Sequence, residues 1–172
     1  MNRVQETYWY AARTRYGEEL KVSDLLAIEQ VEHFVPVTSG SKRRKAALPC
    51  LVFLKTTKAE ALDLANTGRV PIRYMVDCAT HTLLVVPDKQ MEDFRRVMDL
   101  GIGKGGLVDR PLALGDRVTV VKGPLKGVQG HVLELRGRCY VVVGLLDCLF
   151  AKAHVPRSWL SSSDPRRPGM IG

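Results

Sequence analysis

The chain has 172 residues and a mass of 19.1 kDa, with 26 Lys and Arg against 18 Asp and Glu, so its formal net charge is +8. Hydrophobic residues make up 45% of it, which is enough to bury a core and excludes a mainly disordered chain. The positive charge favours a polyanionic partner. The sequence has no apolar run long enough to span a membrane and no signal-peptide core, so we expect a cytoplasmic protein without a membrane partner.

The sequence contains no motif that indicates catalysis or metal binding. It lacks GxxxxGK[ST], GxSxG and HExxH, the motifs of phosphate loops, serine hydrolases and zinc proteases. Its four cysteines form no CxxC pair, so we predict reduced and mostly buried thiols, no metal and no cofactor. The acidic pairs Glu18/Glu19 and Glu92/Asp93 are predicted to lie on exposed helix faces. We therefore expect a protein that is not an enzyme.

Strand and helix signals alternate along the first hundred residues. The segment 7–13 is rich in the Thr, Tyr and Trp that strands favour, and a helix is predicted over 17–31. The apolar side chains of that helix at helical spacing are Leu20, Leu25, Ile28 and Val31. Further strands are predicted over 33–37, 48–55, 72–77 and 82–86, with helices over 58–66 and from Asp88 to residue 100. This order predicts an α+β domain over residues 1–100.

Four glycines within Gly101–Gly106 give the backbone a freedom that helix and strand interiors seldom tolerate. We therefore predict a linker over 101–111. Residues 1–100 carry 15 basic and 13 acidic groups, net +2, whereas 101–172 carry 11 and 5, net +6. The smaller C-terminal part is the more basic one.

The C-terminal part consists of short β-branched runs separated by Gly, Pro and Arg-Gly-Arg turns. These runs cover 117–121, 128–135, 139–143 and 146–151, and they predict a small all-β barrel over 112–160. The last segment, 161–172, has little apolar content and is predicted to be a flexible tail.

Two groups of cations are the candidates for binding nucleic acid. One is the run Lys42, Arg43, Arg44 and Lys45, inside a stretch from His33 to Ala59 that has no Asp or Glu. The other is Arg13 and Arg15, followed by Tyr16, at the end of the first predicted strand. Cations can pair with phosphates and a neighbouring aromatic ring can stack on bases, so this combination favours binding of single-stranded nucleic acid. The alternative for the run of four is a solvated loop that binds nothing.

The segment 114–132, LGDRVTVVKGPLKGVQGHV, carries the most specific pattern in the chain. Its turn and glycine residues enter a strand, form a tight turn and permit positive φ or close backbone approach. The pattern resembles the KOW motif of NusG-type transcription factors, and the matching residues are Gly115, Asp116, Val118, Val120, Gly123, Pro124, Gly127 and Gly130.

The N-terminal part resembles the same family. It has Trp9-Tyr10 in the first strand, then a helix, Phe34-Val35-Pro36, a basic loop, and Leu48-Pro49 before an apolar strand. The family is NusG, and the chain looks most like its specialised RfaH and UpxY-type members. Where the family has Pro-Gly-Tyr, this chain has Pro49-Cys50-Leu51. The resemblance implies an NGN α/β sandwich domain followed by a KOW domain with an SH3-like β-barrel.

The resemblance also implies a function. Family members are transcription elongation and antitermination factors, and the operon-specific members serve surface-polysaccharide genes. Their N-terminal domain binds the clamp helices of RNA polymerase, here through Leu51, Phe53 and Tyr74, and approaches non-template DNA or nascent RNA. Their KOW domain recruits a further factor, for which a ribosomal protein and Rho are the candidates. Two alternatives stay open: Phe53 and Tyr74 as core residues, and a KOW-containing ribosome-associated or RNA-binding protein.

Overall fold

The structure is a computed structural model, and it describes residues 4–37, 44–104, 106–108, 115–145 and 149–162. The chain divides into two compact units, Met1–Asp88 and Lys89–Gly172. The described ranges do not include Lys42 and Arg43, which were predicted to bind nucleic acid, or Cys148, which was predicted to be a reduced thiol. Positions 163–172 of the predicted tail also lie outside them. Within the described ranges, no helix combines the length and apolar character needed to cross a membrane.

The first unit is an antiparallel sheet with two helices. Its strands pair in the order β2-β3-β1-β4, and β5 also pairs with β1. The elements are β1 Thr7–Arg13, α1 Glu19–Ile28, β2 Glu32–Phe34, β3 Leu51–Thr57, α2 Lys58–Asn66, β4 Arg73–Tyr74 and β5 Val85–Val86. The predicted bounds of β1 and α2 are confirmed. The side chain of Thr57 caps α2 by accepting a hydrogen bond from the amide of Glu60 at 3.2 Å.

Both helices contribute to the core that covers one face of this sheet. The sheet provides Ala12, Val52 and Leu54, and the rest of the cluster is Val22, Leu26, Val31, Leu64 and Val70. The face predicted for α1 was wrong, because Ile28 is 74% exposed while Val22 and Leu26 are buried. Apolar residues lie on more than one side of α1, so spacing alone does not identify its buried face.

The second unit contains most of α3, Asp88–Lys104, and six strands. The strands are β6 Gly106–Val108, β7 Arg117–Val120, β8 Gln129–Leu135, β9 Arg138–Leu145, β10 Leu149–His154 and β11 Leu160–Ser162, with a 3-10 helix at Arg157–Trp159. They pair in the order β11-β7-β8-β9-β10-β6. Among the described residues, β11 and β6, the strands at the two ends of this order, do not pair with each other. The hydrogen-bonded sheet is therefore open, and not the closed barrel that was expected.

The glycine-rich segment and the tail differ from expectation in their secondary structure. Helix α3 continues to Lys104 and β6 begins at Gly106, where a linker was expected to start at residue 101. A glycine costs a helix only about 1 kcal/mol, and tertiary context commonly outweighs that. Ser161 and Ser162, assigned to the flexible tail, instead pair with Thr119 and Val118. Pairing with β7 gives Ser161 and Ser162 backbone hydrogen bonds, and these order a segment whose own side chains have too little apolar surface to do so.

Polar side chains of α3 hold the loop between β7 and β8. Asp93, only 2% exposed, accepts hydrogen bonds from Lys89 Nζ at 2.7 Å and from the amide of Gln129 at 3.1 Å. Arg96 donates to the carbonyls of Pro124 and Lys126, at 3.0 and 2.8 Å. The exposed position expected for Asp93 is thus wrong, because these donors compensate its burial.

Two glycines of the KOW-like segment meet specific steric demands. Gly123 has a φ of +82°, and a Cβ there would lie 2.3 Å from the ring of Trp159. A Cβ on Gly130 would lie 2.3 Å from the carbonyl oxygen of Val142. The positive φ of Gly123 suits the tight turn that was predicted there, and the close backbone approach predicted for Gly130 is confirmed.

Candidate nucleic-acid interface

Three of the residues predicted to bind nucleic acid line one cleft in the first unit. The cleft has a volume of about 310 Å³, and Tyr16, Arg44 and Lys45 are among its walls. The other lining residues are Gly17, Glu19, Leu20, Ala46 and Pro49. Arg44 and Lys45 are exposed, and Tyr16 is 82% exposed. The cleft therefore combines an accessible ring with two accessible cations.

Local sequence accounts for these positions. Gly17, at a φ of +82°, turns the chain out of β1 and into α1, so that Tyr16 stands at the tip of the turn. Arg44 and Lys45 belong to the segment that leads to Pro49 and β3. The two chain segments are distant in sequence, and only the fold brings them to the same cleft.

Glu19 forms part of the cleft wall and was not recognised as a site residue from sequence. It is 5% exposed, and its Oε1 accepts hydrogen bonds from the amide of Cys50 at 2.7 Å and of Gly17 at 3.3 Å. Burial raises the pKa of Glu19, but backbone amides that donate to the carboxylate outweigh it, so the pKa is lowered overall. The exposed helix face predicted for Glu19 is wrong. Its place at the first residue of α1, where an acidic side chain can accept from free backbone amides, was the available signal.

The cations at the end of β1 are exposed but do not line the cleft. Arg13 pairs in register with Leu51 on one side and Arg73 on the other, so two exposed arginines lie side by side. Arg15 follows in the turn, next to Tyr16. Sequence reasoning missed Arg73, because it depends on which strand pairs with β1.

The three residues assigned to polymerase binding do not share a face of the sheet. Phe53 pairs with Ala11, and Leu51 with Arg13, whereas Tyr74 pairs with Ala12. Because successive residues of a strand point to opposite faces, Tyr74 lies on the face opposite to Leu51 and Phe53. Phe53 is fully buried and stacks on Phe34 with centroids 6.4 Å apart, and Leu51 is 8% exposed.

Tyr74 belongs to a row of aromatic residues beside the helix-covered core. Its ring packs edge-on to Tyr10 at 5.9 Å, and Tyr10 packs on Tyr8 at 6.4 Å. The Tyr74 hydroxyl is buried without a hydrogen-bond partner in the part of the chain that is described. Burial raises the pKa of Tyr74 far above its usual value. The exposed end of the row is formed by Tyr8 and, on the same face, Val85.

The KOW-like residues lie in and around the β7–β8 hairpin of the second unit. Gly115 and Asp116 precede β7, Val118 and Val120 point into the core, and Gly123, Pro124 and Gly127 form the following loop. Of the three thiols that the structure describes, Cys139 is buried, Cys78 is exposed and Cys50 is partly exposed, so the predicted burial holds for one of these three. No group of three or more His, Cys, Asp or Glu within the described ranges could hold a metal ion.

No protein-family model matches this sequence, and no curated protein matches it. Among solved structures, the chain is similar to NusG of Thermotoga maritima in a structure titled for its domain interaction. The TM-score is 0.50 at 20% identity, over 92% of this chain and 98% of that one. Two conformations of the MjSpt4:Spt5 complex give TM-scores of 0.31 and 0.30 at 18% and 19% identity, each over 91% of this chain and over 98% and 97% of theirs. The likeness to NusG shows a common fold.

Proposed function

We propose that this protein is a transcription elongation and antitermination factor of the NusG type. It binds RNA polymerase through its first unit and recruits a further factor through the KOW-like second unit. The exposed cleft of Tyr16, Arg44 and Lys45 contacts a nucleic-acid strand on the elongating complex. The Pro49-Cys50-Leu51 departure favours a specialised, operon-specific role of the RfaH and UpxY type.

The observation that carries this proposal is the cleft on a NusG-like fold. A stacking ring and two cations in one accessible cleft suit a single strand, because every base has a face for stacking and every nucleotide has a phosphate. The KOW-like hairpin supports the assignment of the second unit. Neither observation calls for bond-making chemistry.

For the polymerase contact, we retain Leu51 and Phe53 and assign Tyr74 a supporting role in the core. A flat contact cannot include all three, because Tyr74 lies on the opposite face. Contact through Leu51 and Phe53 requires their buried face to become accessible on binding. Contact through the other face would instead use Tyr8 and Val85, which are 38% and 42% exposed.

Copurification tests the function itself. A tagged full-length chain, expressed in its native cells, is expected to retain RNA polymerase subunits after nuclease treatment. Recovery of ribosomal RNA and ribosomal proteins without polymerase would contradict the proposal and favour the ribosome-associated alternative.

Site-specific photo-crosslinking tests the polymerase contact. A photoreactive residue at position 51 is expected to crosslink to polymerase, and one at position 8 is the matched probe on the opposite face. If only position 8 crosslinks, the result would indicate that polymerase binds the face of Tyr8 and Val85 instead. Circular dichroism of each variant verifies that the fold is retained.

A further inference from the structure

The second unit contains a cavity of about 390 Å³ at one end of its sheet. The walls come from the turn between β8 and β9, the end of β10 and the 3-10 helix that follows it. Three charged residues and one histidine are among the lining residues, namely Glu134, Arg138, Arg157 and His154. We call this space the arginine cavity. Cavities of about 300–1,000 Å³ are of the size that small-molecule ligands occupy.

The backbone fixes this end of the sheet. Leu135 pairs with Arg138, so the turn between β8 and β9 has two residues, Arg136 and Gly137. Their φ values of +50° and +74° suit a tight hairpin turn, in which both central residues have positive φ. The amide of the first residue after β10 donates to the carbonyl of Cys139 at 3.1 Å. The walls of the arginine cavity are therefore joined by backbone hydrogen bonds, and not by mobile side chains alone.

Arg138 brings an unneutralised charge to the arginine cavity. The residue is exposed, and among the described residues its side chain forms no ion pair and no hydrogen bond. A guanidinium has five N–H donors in a planar fork that matches the oxygens of a phosphate group. Arg138 can therefore donate to a bound anion without giving up a partner inside the described part of the chain.

Arg157 supplies a second guanidinium, and Glu134 holds it beside the arginine cavity. The two form an ion pair between the 3-10 helix and β8. Their side chains are 44% and 56% exposed, so water screens the pair and its attraction is weak. A doubly charged anion can therefore compete with Glu134 for Arg157. With one acid against two arginines, the lining keeps a net positive charge.

His154 adds an imidazole whose ring is supported from one side. Tyr140 pairs with His154, and the two rings pack edge-on with centroids 5.6 Å apart. A histidine donates through one ring nitrogen when neutral and through both when charged, so it can donate to an anion in either state. The arginine cavity thus offers hydrogen-bond donors of three side chains to one ligand.

We propose that the arginine cavity binds a small phosphate monoester, of the size of a nucleoside monophosphate or a sugar phosphate. At neutral pH a monoester phosphate carries a charge of about −1.5 to −2 and three terminal oxygens, which suit two guanidiniums and an imidazole. Pro156 and the buried Cys139 also line the cavity and offer less polar wall to the organic part of the ligand. This inference does not depend on the proposed function.

Isothermal titration calorimetry of the full-length chain tests the ligand class. The cleft of the first unit is inactivated by Tyr16→Ala, Arg44→Gln and Lys45→Gln, so that phosphate binding there does not contribute. The probes are adenosine 5′-monophosphate and ribose 5-phosphate, and we expect at least one of them to bind with one site per chain. Absence of saturable binding by both would overturn the proposal.

Two further probes separate the parts of the ligand. Adenosine should not bind measurably, because it has no charge for the arginines. Inorganic phosphate should bind about fivefold or more weakly than the tighter monoester, because it lacks the organic part. Equal affinities for inorganic phosphate and the monoester would overturn the assignment to a metabolite.

A phosphodiester probe separates a small metabolite from a nucleic-acid backbone. Adenylyl-adenosine has one phosphate with a single negative charge and two free oxygens. We expect it to bind about fivefold or more weakly than the tighter monoester, because it offers less charge to the two guanidiniums. Equal or tighter binding of the diester would overturn the choice of a monoester.

Single substitutions locate the site, and their effects have opposite signs. Arg138→Gln and Arg157→Gln should each weaken monoester binding by about fivefold or more. Glu134→Gln should tighten it by about twofold or more, because it removes the negative charge that competes for Arg157. Circular dichroism of each variant verifies that the fold is retained.

The matched controls are Lys122→Gln and Glu92→Gln, which change exposed charges of the same unit outside the arginine cavity. Both should leave the affinity unchanged, and effects equal to those of the cavity variants would overturn the site. Copurification with polymerase is an independent measurement: its failure would contradict the proposed function and leave the binding of the monoester unaffected.

Discussion

The carboxylate of Glu19 accepts a 2.7 Å hydrogen bond from the backbone amide of Cys50, which joins the start of α1 to the turn before β3. The same oxygen accepts from Gly17, so one buried acid ties together both segments that form the cleft. Burial of a carboxylate is costly unless it is hydrogen-bonded, and here backbone donors meet that cost. The shape of the cleft therefore depends on a residue that sequence reasoning assigned to solvent.

We expect Glu19→Gln to lower the free energy of unfolding by about 1–2 kcal/mol at neutral pH, because a neutral amide accepts these hydrogen bonds more weakly. The pKa of Glu19 is lowered in the folded chain, so its contribution is present above the unfolded value of about 4.3 and is lost as pH falls through the lower folded value. Urea denaturation at several pH values measures the difference, which should shrink in acid. Glu18→Gln is the matched control, and an equal effect there would contradict the assignment.

Cys50→Gly is expected to stabilise the protein by up to about 1 kcal/mol. Cys50 has a φ of +62°, a left-handed conformation that costs a residue with a Cβ about 1–2 kcal/mol. Glycine avoids this strain but loses more backbone entropy on folding, so the net gain in stability is smaller than the strain itself. Thermal unfolding of Cys50→Gly and Cys50→Ala measures the strain. Because alanine keeps the Cβ, only the glycine variant should gain, and an equal gain for alanine would exclude strain as the cause.

Asp93→Ala is expected to destabilise the second unit by about 2–3 kcal/mol. Its buried carboxylate bonds to Lys89 and to the amide of Gln129, and removal leaves that amide without its acceptor. Asp99→Ala, on the same helix and exposed, should change the stability little. Chemical denaturation monitored by circular dichroism compares the two variants, and similar losses would show that the network does not hold the β7–β8 loop.

Replacing the cleft cations should reduce binding of single-stranded DNA in a salt-dependent way. Arg44→Gln with Lys45→Gln should make the salt slope shallower by about 1.4, at about 0.7 for each phosphate that the variant no longer neutralises. Lys21→Gln with Lys58→Gln, exposed on α1 and α2, removes the same charge outside the cleft. If both pairs change the slope equally, the cleft has no special part in binding.

Much of the secondary structure is determined by sequence, since its signals are local. The bounds of β1 and α2 follow from β-forming residues at Thr7–Arg13 and from the Thr57 cap with Gly68 beyond the helix end. The turns of the KOW-like hairpin likewise follow from glycines that tolerate positive φ or close contact. These features depend on a few adjacent residues, so the local sequence is enough to predict them.

The sites depend on pairing between distant segments, which only the tertiary structure decided. A strand alternates its side chains between two faces, so the register of β4 on β1, and not residue type, separates Tyr74 from Phe53. The ion pair of Arg157 with Glu134 joins distant segments at the arginine cavity, and the turn at Gly17 brings Tyr16 to the cleft that Arg44 lines. The buried carboxylates of Glu19 and Asp93 accept hydrogen bonds from backbone amides 31 and 36 residues away in sequence. Local sequence predicts that these two acids are exposed, because the amides that compensate their burial are brought to them only by the tertiary structure.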